Sequence, residues 1–133
     1  MRPGNRSGIS VSFIFALTLV GGSAWAHHNM SAIFDFNNRV ALTGTLSKIM
    51  WTNPHVELIV ETKDGDTVAT WSLEGPSPSF FRSRSVGKVQ FTAAIGHTVT
   101  AEASRARDGS LSALLRMITL PDGTVVSLCP QNC

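Results

Sequence analysis

The chain has 133 residues, with 11 Lys and Arg against 9 Asp and Glu, 4 His and 2 Cys, a length that fits one domain and excludes a multidomain enzyme. Charged residues are 15% of the chain and apolar residues 43%, so a packed core is available and disorder is not the default state.

Arg2 and Arg6 precede an apolar run over residues 9–20, Gly21-Gly22-Ser23 interrupts it, and Ala24-Trp25-Ala26 supplies an A-x-A cleavage site. This is the pattern of a secretory signal peptide over residues 1–26. The apolar run is about a dozen residues, short of the roughly 20 that a membrane span needs. Cleavage is expected to yield a periplasmic or secreted bacterial protein with no stable membrane insertion. Taking 26 residues and two arginines from 133 and 11 leaves 107 residues, with nine basic against nine acidic side chains. That formal neutrality offers no electrostatic footprint for nucleic acid, which is therefore not expected as a partner.

Processing after Ala26 would expose His27 as a new terminus, followed by His28 and, two residues on, Met30. A free α-amino group and imidazole chelate one ion together, and a thioether favours Cu(I). Residues 27–38 are expected to be a flexible N-terminal segment, 39–127 a β-barrel domain and 128–133 a Cys-containing tail.

From Val40 to Leu46 the chain alternates with period two, Val40, Leu42 and Leu46 sharing a face. Beyond Ser47-Lys48 the apolar parity shifts to Ile49 and Trp51, which predicts a bulge, with Gly44 easing a bend. One strand is then able to serve two sheets. Thr52-Asn53-Pro54 ends it. A second strand follows from His55, with Val56, Leu58 and Val60 inward and His55, Glu57, Ile59 and Glu61 on the other face. Lys63-Asp64-Gly65-Asp66 signals a hairpin, and the returning strand shares Ala69, Trp71 and Leu73 on one face.

Gly75-Pro76-Ser77-Pro78 is a loop, after which Ser77 or Ser79 is placed to cap a short helix around Phe80-Phe81-Arg82. Residues 83–94 read as a loop crossing the barrel mouth. Alternation resumes at Thr98, Arg107-Asp108-Gly109-Ser110 turns the chain, a partner strand runs from Ser112 to Leu120, and Pro121-Asp122-Gly123 precedes a short last strand. The predicted class is mainly β: a small five- to six-stranded OB-like barrel with one short helix, closed so as to remove exposed edges.

The strings Ala26-His27-His28, Leu42-Thr43-Gly44-Thr45, Trp51-Thr52-Asn53-Pro54-His55, Arg107-Asp108-Gly109-Ser110 and Thr119-Leu120-Pro121-Asp122-Gly123 resemble a family of short exported bacterial proteins, a domain of unknown function. The resemblance spans nearly all of the mature chain and implies a small secreted β domain, with no assigned activity, substrate or catalytic residue. The chain departs from that pattern at Ser85-Val86, where the family carries Gly-Trp, and at Gly96-His97, where it carries Gly-Asp. A looser similarity is to small periplasmic copper chaperones of the OB type; their W-x-x-M-x-M pattern is absent here, so only a fold precedent follows.

Candidate metal ligands are His27, His28, Met30 and His55, with His97 a further completion and copper the favoured ion. His55 shares a face with Glu57, a carboxylate placed to orient its ring. Trp51, Asn53 and Trp71 form a candidate groove for an adaptor or interaction module working with an unknown periplasmic protein, although both Trp side chains also suit barrel packing. Cys129 and Cys133 form a candidate disulfide in an exported chain, the alternative being a Cu(I) or redox dithiol. Arg82, Arg84 and Lys88 beside Phe80 and Phe81 read as a solvated helix face. No Ser-His-Asp set, phosphate loop or haem motif stands out, so an enzyme is not expected.

Overall fold

The computed structural model describes residues 30–128. Among these the chain forms six strands and three short helices: α1 (Met30–Ile33), β1 (Phe34–Trp51), β2 (Val56–Asp64), β3 (Thr67–Glu74), α2 (Pro78–Arg82), α3 (Lys88–Ala93), β4 (Thr98–Ala106), β5 (Ser112–Thr119) and β6 (Val125–Ser127). The sheet order is β3-β2-β1-β4-β5-β6, and β3 also pairs with β5 in parallel. That last pairing closes β1, β2, β3, β5 and β4 into a barrel of the OB type, with β6 extending the sheet along β5. The mainly β, OB-like expectation holds.

Closure depends on β1. Its first part pairs with β4, from Phe34↔Ala106 to Thr45↔Thr98, and its second part pairs with β2, from Thr45↔Glu61 to Trp51↔Val56. One strand therefore serves both halves, with the register shift between Leu46 and Lys48 where the apolar parity changes. Gly44 sits at the crossover. A Cβ there would lie 2.3 Å from the Glu61 carbonyl oxygen, so only glycine lets the two backbones approach. The strand begins at Phe34, upstream of the expected barrel start at residue 39, because buried Phe34 anchors it opposite Ala106.

Inward positions of the strands are Leu42, Leu46, Val56, Leu58, Val60, Trp71, Leu73, Val99, Ala101, Ala103, Ala113, Leu115 and Ile118, all buried. The small alanines of β4 and β5 leave room for the large side chains opposite. Arg116 is buried too; it donates Nη1 to Ser104 Oγ at 3.2 Å. Burial first, then the like charge of Arg39, holds its pKa below the ordinary guanidinium value.

The connection from β3 to β4 corrects the expectation of one helix. It contains α2 and also α3, in the stretch read as a loop. Phe91 and Ala94, three residues apart, both face the core, and Gln90 Oε1 accepts the Gly87 N–H at 3.0 Å at the start of α3. Phe81, Phe91 and Trp51 pack on one another, with ring centroids 5.1 to 5.3 Å apart, and plug the barrel. Between the helices Ser85 adopts φ 58°, the left-handed region that glycine enters without steric cost.

The predicted turns are present. Gly65 takes φ 59° in the two-residue hairpin between Asp64 and Thr67. Asp108 Oδ1 accepts the Ser110 N–H at 2.9 Å and Asp122 Oδ1 accepts the Thr124 N–H at 2.8 Å. Those backbone bonds, reinforced by the hydroxyls of Ser110 and Thr124, lower the pKa of both aspartates.

Two outcomes follow. Gly44→Ala is expected to destabilise the protein by about 1–3 kcal/mol, the usual cost of forced overpacking, read as a lower urea midpoint at unchanged slope. Because the Asp122 pKa is depressed in the folded state, its contribution is present above the ordinary aspartate range and is lost as pH falls through the lowered value. Asp122→Ala is therefore expected to be less stable than wild type at neutral pH, with the difference closing on acidification in pH-dependent urea unfolding.

Candidate functional site

Four chain segments converge around His55. The β1–β2 connection carries Thr52, Asn53 and Pro54, with a cis bond between Asn53 and Pro54. Alternation along β2 and β3 turns Val56, Leu58, Trp71 and Leu73 inward, and so turns Glu57, Ser72 and Glu74 outward. The parallel pair Ser72↔Ser112 brings in the start of β5. Together Thr52, Asn53, His55, Glu57, Ser72, Glu74 and Ser112 line a polar cleft of about 400 Å³. On its other flank His55, with Glu74 and Pro54, shares a second cleft of about 250 Å³ with Met30 and Ile33 of α1.

Glu57 and Glu74 are directly opposed across β2 and β3, an arrangement that like charges disfavour. Each carboxylate has its own donor. Ser72 Oγ donates to Glu57 Oε1, and His55 Nδ1 lies 2.5 Å from Glu74 Oε1. An ionised carboxylate only accepts, so Nδ1 carries the proton, and in a neutral ring Nε2 is left with its lone pair. This is the arrangement by which a carboxylate fixes the tautomer of a ligating histidine. The side chains of His55 and Glu74 are 36% and 30% exposed, so the ring is open to a ligand.

The expected partner of His55 is corrected: Glu74, not Glu57, orients the ring, because Ser72 engages Glu57. The two carboxylates could be paired from sequence by counting back from the Asp64↔Thr67 hairpin, which puts Glu74 opposite Glu57. Met30 does come to the His55 cleft. His97 stands exposed in the turn before β4, its backbone bonded to Leu46 and Ala94, and lines neither cleft. His27, His28, Cys129 and Cys133 lie outside the described residues. Among the described residues no three His, Cys, Asp or Glu side chains form a metal-binding group.

The candidate groove is also corrected. Asn53 is exposed on the polar cleft, but Trp71 is buried and Trp51 packs against Phe81 and Phe91, so neither indole lines that cleft. In the basic and aromatic cluster Phe81 is buried, Phe80 is half-buried, and Arg82, Arg84 and Lys88 are exposed. Arg84 stacks over the Phe80 ring at 3.5 Å, as a solvated face would. Among the described residues no helix is long and apolar enough to cross a membrane.

Fold and site define a small closed β-barrel with a carboxylate-oriented histidine on an open cleft. The chain belongs to the family of unknown function DUF6152, whose model matches residues 16–115. No curated protein matches it. A similar solved structure is the mitochondrial single-stranded DNA-binding protein Rim1 of S. cerevisiae, 15% identical, with a TM-score of 0.43 over 66% of this chain and 94% of that one. Beside this neighbour, named for binding single-stranded DNA, the expectation that nucleic acid is no partner is corrected and not carried forward. A likeness this distant carries no ligand over to the present chain.

Glu74→Ala is expected to release the His55 proton from Nδ1 toward Nε2, the nitrogen that free histidine prefers to protonate. Imidazole ¹⁵N NMR reads the change directly, and stability should move by no more than about 1 kcal/mol, as for other exposed pairs.

Proposed function

We propose that this protein is an exported, non-catalytic transition-metal-binding module, with copper the preferred ion and His55 its structured ligand. The observation that carries the reading is the Glu74 contact at Nδ1 of His55, which leaves Nε2 with its lone pair on a residue that shares a cleft with Met30. An imidazole and a thioether together favour Cu(I), whereas imidazole alone also suits Zn(II) and Ni(II).

Two ligands alone make a weak site, and His27 and His28 supply the completion. They precede Met30 by three and two residues, a chain reach of at most about 7–11 Å, enough to bring an imidazole back to the same cleft. Signal cleavage after Ala26 would add the α-amino group of His27 as a further donor. The proposed location is the bacterial periplasm or exterior, where a pair such as Cys129 and Cys133 is expected to be oxidised and so unavailable as thiolates.

The test is metal titration of the processed protein, followed by native mass spectrometry. Wild type is expected to hold one copper per chain, and His55→Ala to lose it. Glu74→Ala should weaken binding by about 10–100-fold, the usual effect of removing a carboxylate that supports a ligating histidine. Met30→Leu should weaken Cu(I) far more than Zn(II). A processed protein that retains no metal, or that binds equally well as His55→Ala, contradicts the reading.

A further inference from the structure

The segment that brings Met30 into the His55 cleft is held by a residue outside that cleft. Arg107, the first residue after β4, donates its backbone N–H to the Ile33 carbonyl at 2.9 Å. Its side chain reaches across the same segment, where Nε donates to the Ser31 carbonyl at 2.9 Å and Nη1 stands 3.7 Å from Asp35 Oδ2. The Phe34↔Ala106 pair adjoins these contacts. Residues 31, 33 and 35 are thus gripped by one arginine on the β4–β5 corner. Met30 precedes the gripped residues directly, and Ile33 lines the cleft along with Met30, His55 and Glu74.

We infer that Arg107 is a positioning residue that clamps α1 so that the Met30 thioether faces His55, and that it thereby sets Cu(I) affinity without touching the metal. The affinity half rests on the metal-binding reading; the positioning half does not. A guanidinium suits the task because its planar fork presents several donors in a fixed geometry, here one to a carbonyl and one toward a carboxylate. The backbone bond to Ile33 and the Phe34↔Ala106 pair are independent of the side chain, so Arg107→Ala keeps β1 in place and frees only the segment before it. A lysine at this position retains a charged donor for the Ser31 carbonyl.

Two measurements on the processed protein separate the halves. In the metal-free state an NOE between the Met30 ε-methyl and the His55 ring protons is expected in wild type and Arg107→Lys, and is expected to be lost in Arg107→Ala. In Cu(I) competition against a chromophoric chelator, Arg107→Ala is expected to bind about 10–100-fold more weakly, in the range of other supporting residues, with the sulfur scatterer missing from its copper X-ray absorption spectrum. Arg107→Lys is expected to restore both. A Met30–His55 NOE that persists in Arg107→Ala, or that is absent from wild type, overturns the clamp. Unchanged Cu(I) affinity and sulfur signal in that variant, with affinity lost in His55→Ala, overturns the affinity half and leaves the metal site standing. A wild type that binds no Cu(I) overturns the metal reading and the affinity half together, and the metal-free NOE still decides the clamp.

Discussion

The whole barrel depends on one close approach between two backbones. β1 has to leave β4 and join β2 within a single run of 18 residues, and it does so where Gly44 lies against the Glu61 carbonyl. Without a side chain at that point the strand bends, and the register shift beyond Leu46 then carries Ile49 onto the core and Trp51 onto the plugging helices. Parallel pairing of β3 with β5 completes the circle. A sheet closed in this way has few free edges, and its interior is filled by side chains rather than by a ligand. Any binding chemistry is consequently left to the outer face and to the connections.

That outer face explains why the His55 site exists. Strict alternation puts apolar side chains of β2 and β3 inside and leaves Glu57, Ser72 and Glu74 outside, where two carboxylates are forced to face each other. Their repulsion is offset by separate donors, a hydroxyl for one and an imidazole for the other. The histidine is thereby committed to one tautomer by the same contact that relieves the charge pair. Barrels of this type often carry ligands on the face of strands 2 and 3 and on the loops flanking it, and the cleft falls there. That correspondence concerns the fold alone; the metal proposal stands on the residues.

Much of the fold is legible in the sequence. The period-two runs, the parity change after Leu46, the Asp64 hairpin and the two Asp-Gly turns all sit where the pattern puts them, because each is a local consequence of side-chain alternation or of φ at one glycine. Helix α3 was not legible because it spans less than two turns and only Phe91 and Ala94 mark its inner face. The start of β1 was hidden by Asn37, Asn38 and Arg39, polar residues that are exposed in a strand held at its far end by Phe34. At the site, His55 and Met30 were identifiable as residue types, but not the grip of Arg107 on the Met30 segment, whose partners lie some 70 residues away in the chain. Glu74 was in reach through the hairpin register.

Metal binding as proposed rests on one atom, Nε2 of His55, left with its lone pair by the Glu74 contact on the opposite nitrogen and carried on a cleft that Met30 also lines. Anomalous diffraction at the copper edge from crystals of the processed, copper-loaded protein tests it most directly. The account predicts a single strong peak at about 2.0 Å from His55 Nε2, a bond length ordinary for imidazole on such metals, with Met30 sulfur on the same ion. A peak bound elsewhere, with the His55 to Glu74 contact intact and Nε2 facing only solvent, would contradict it.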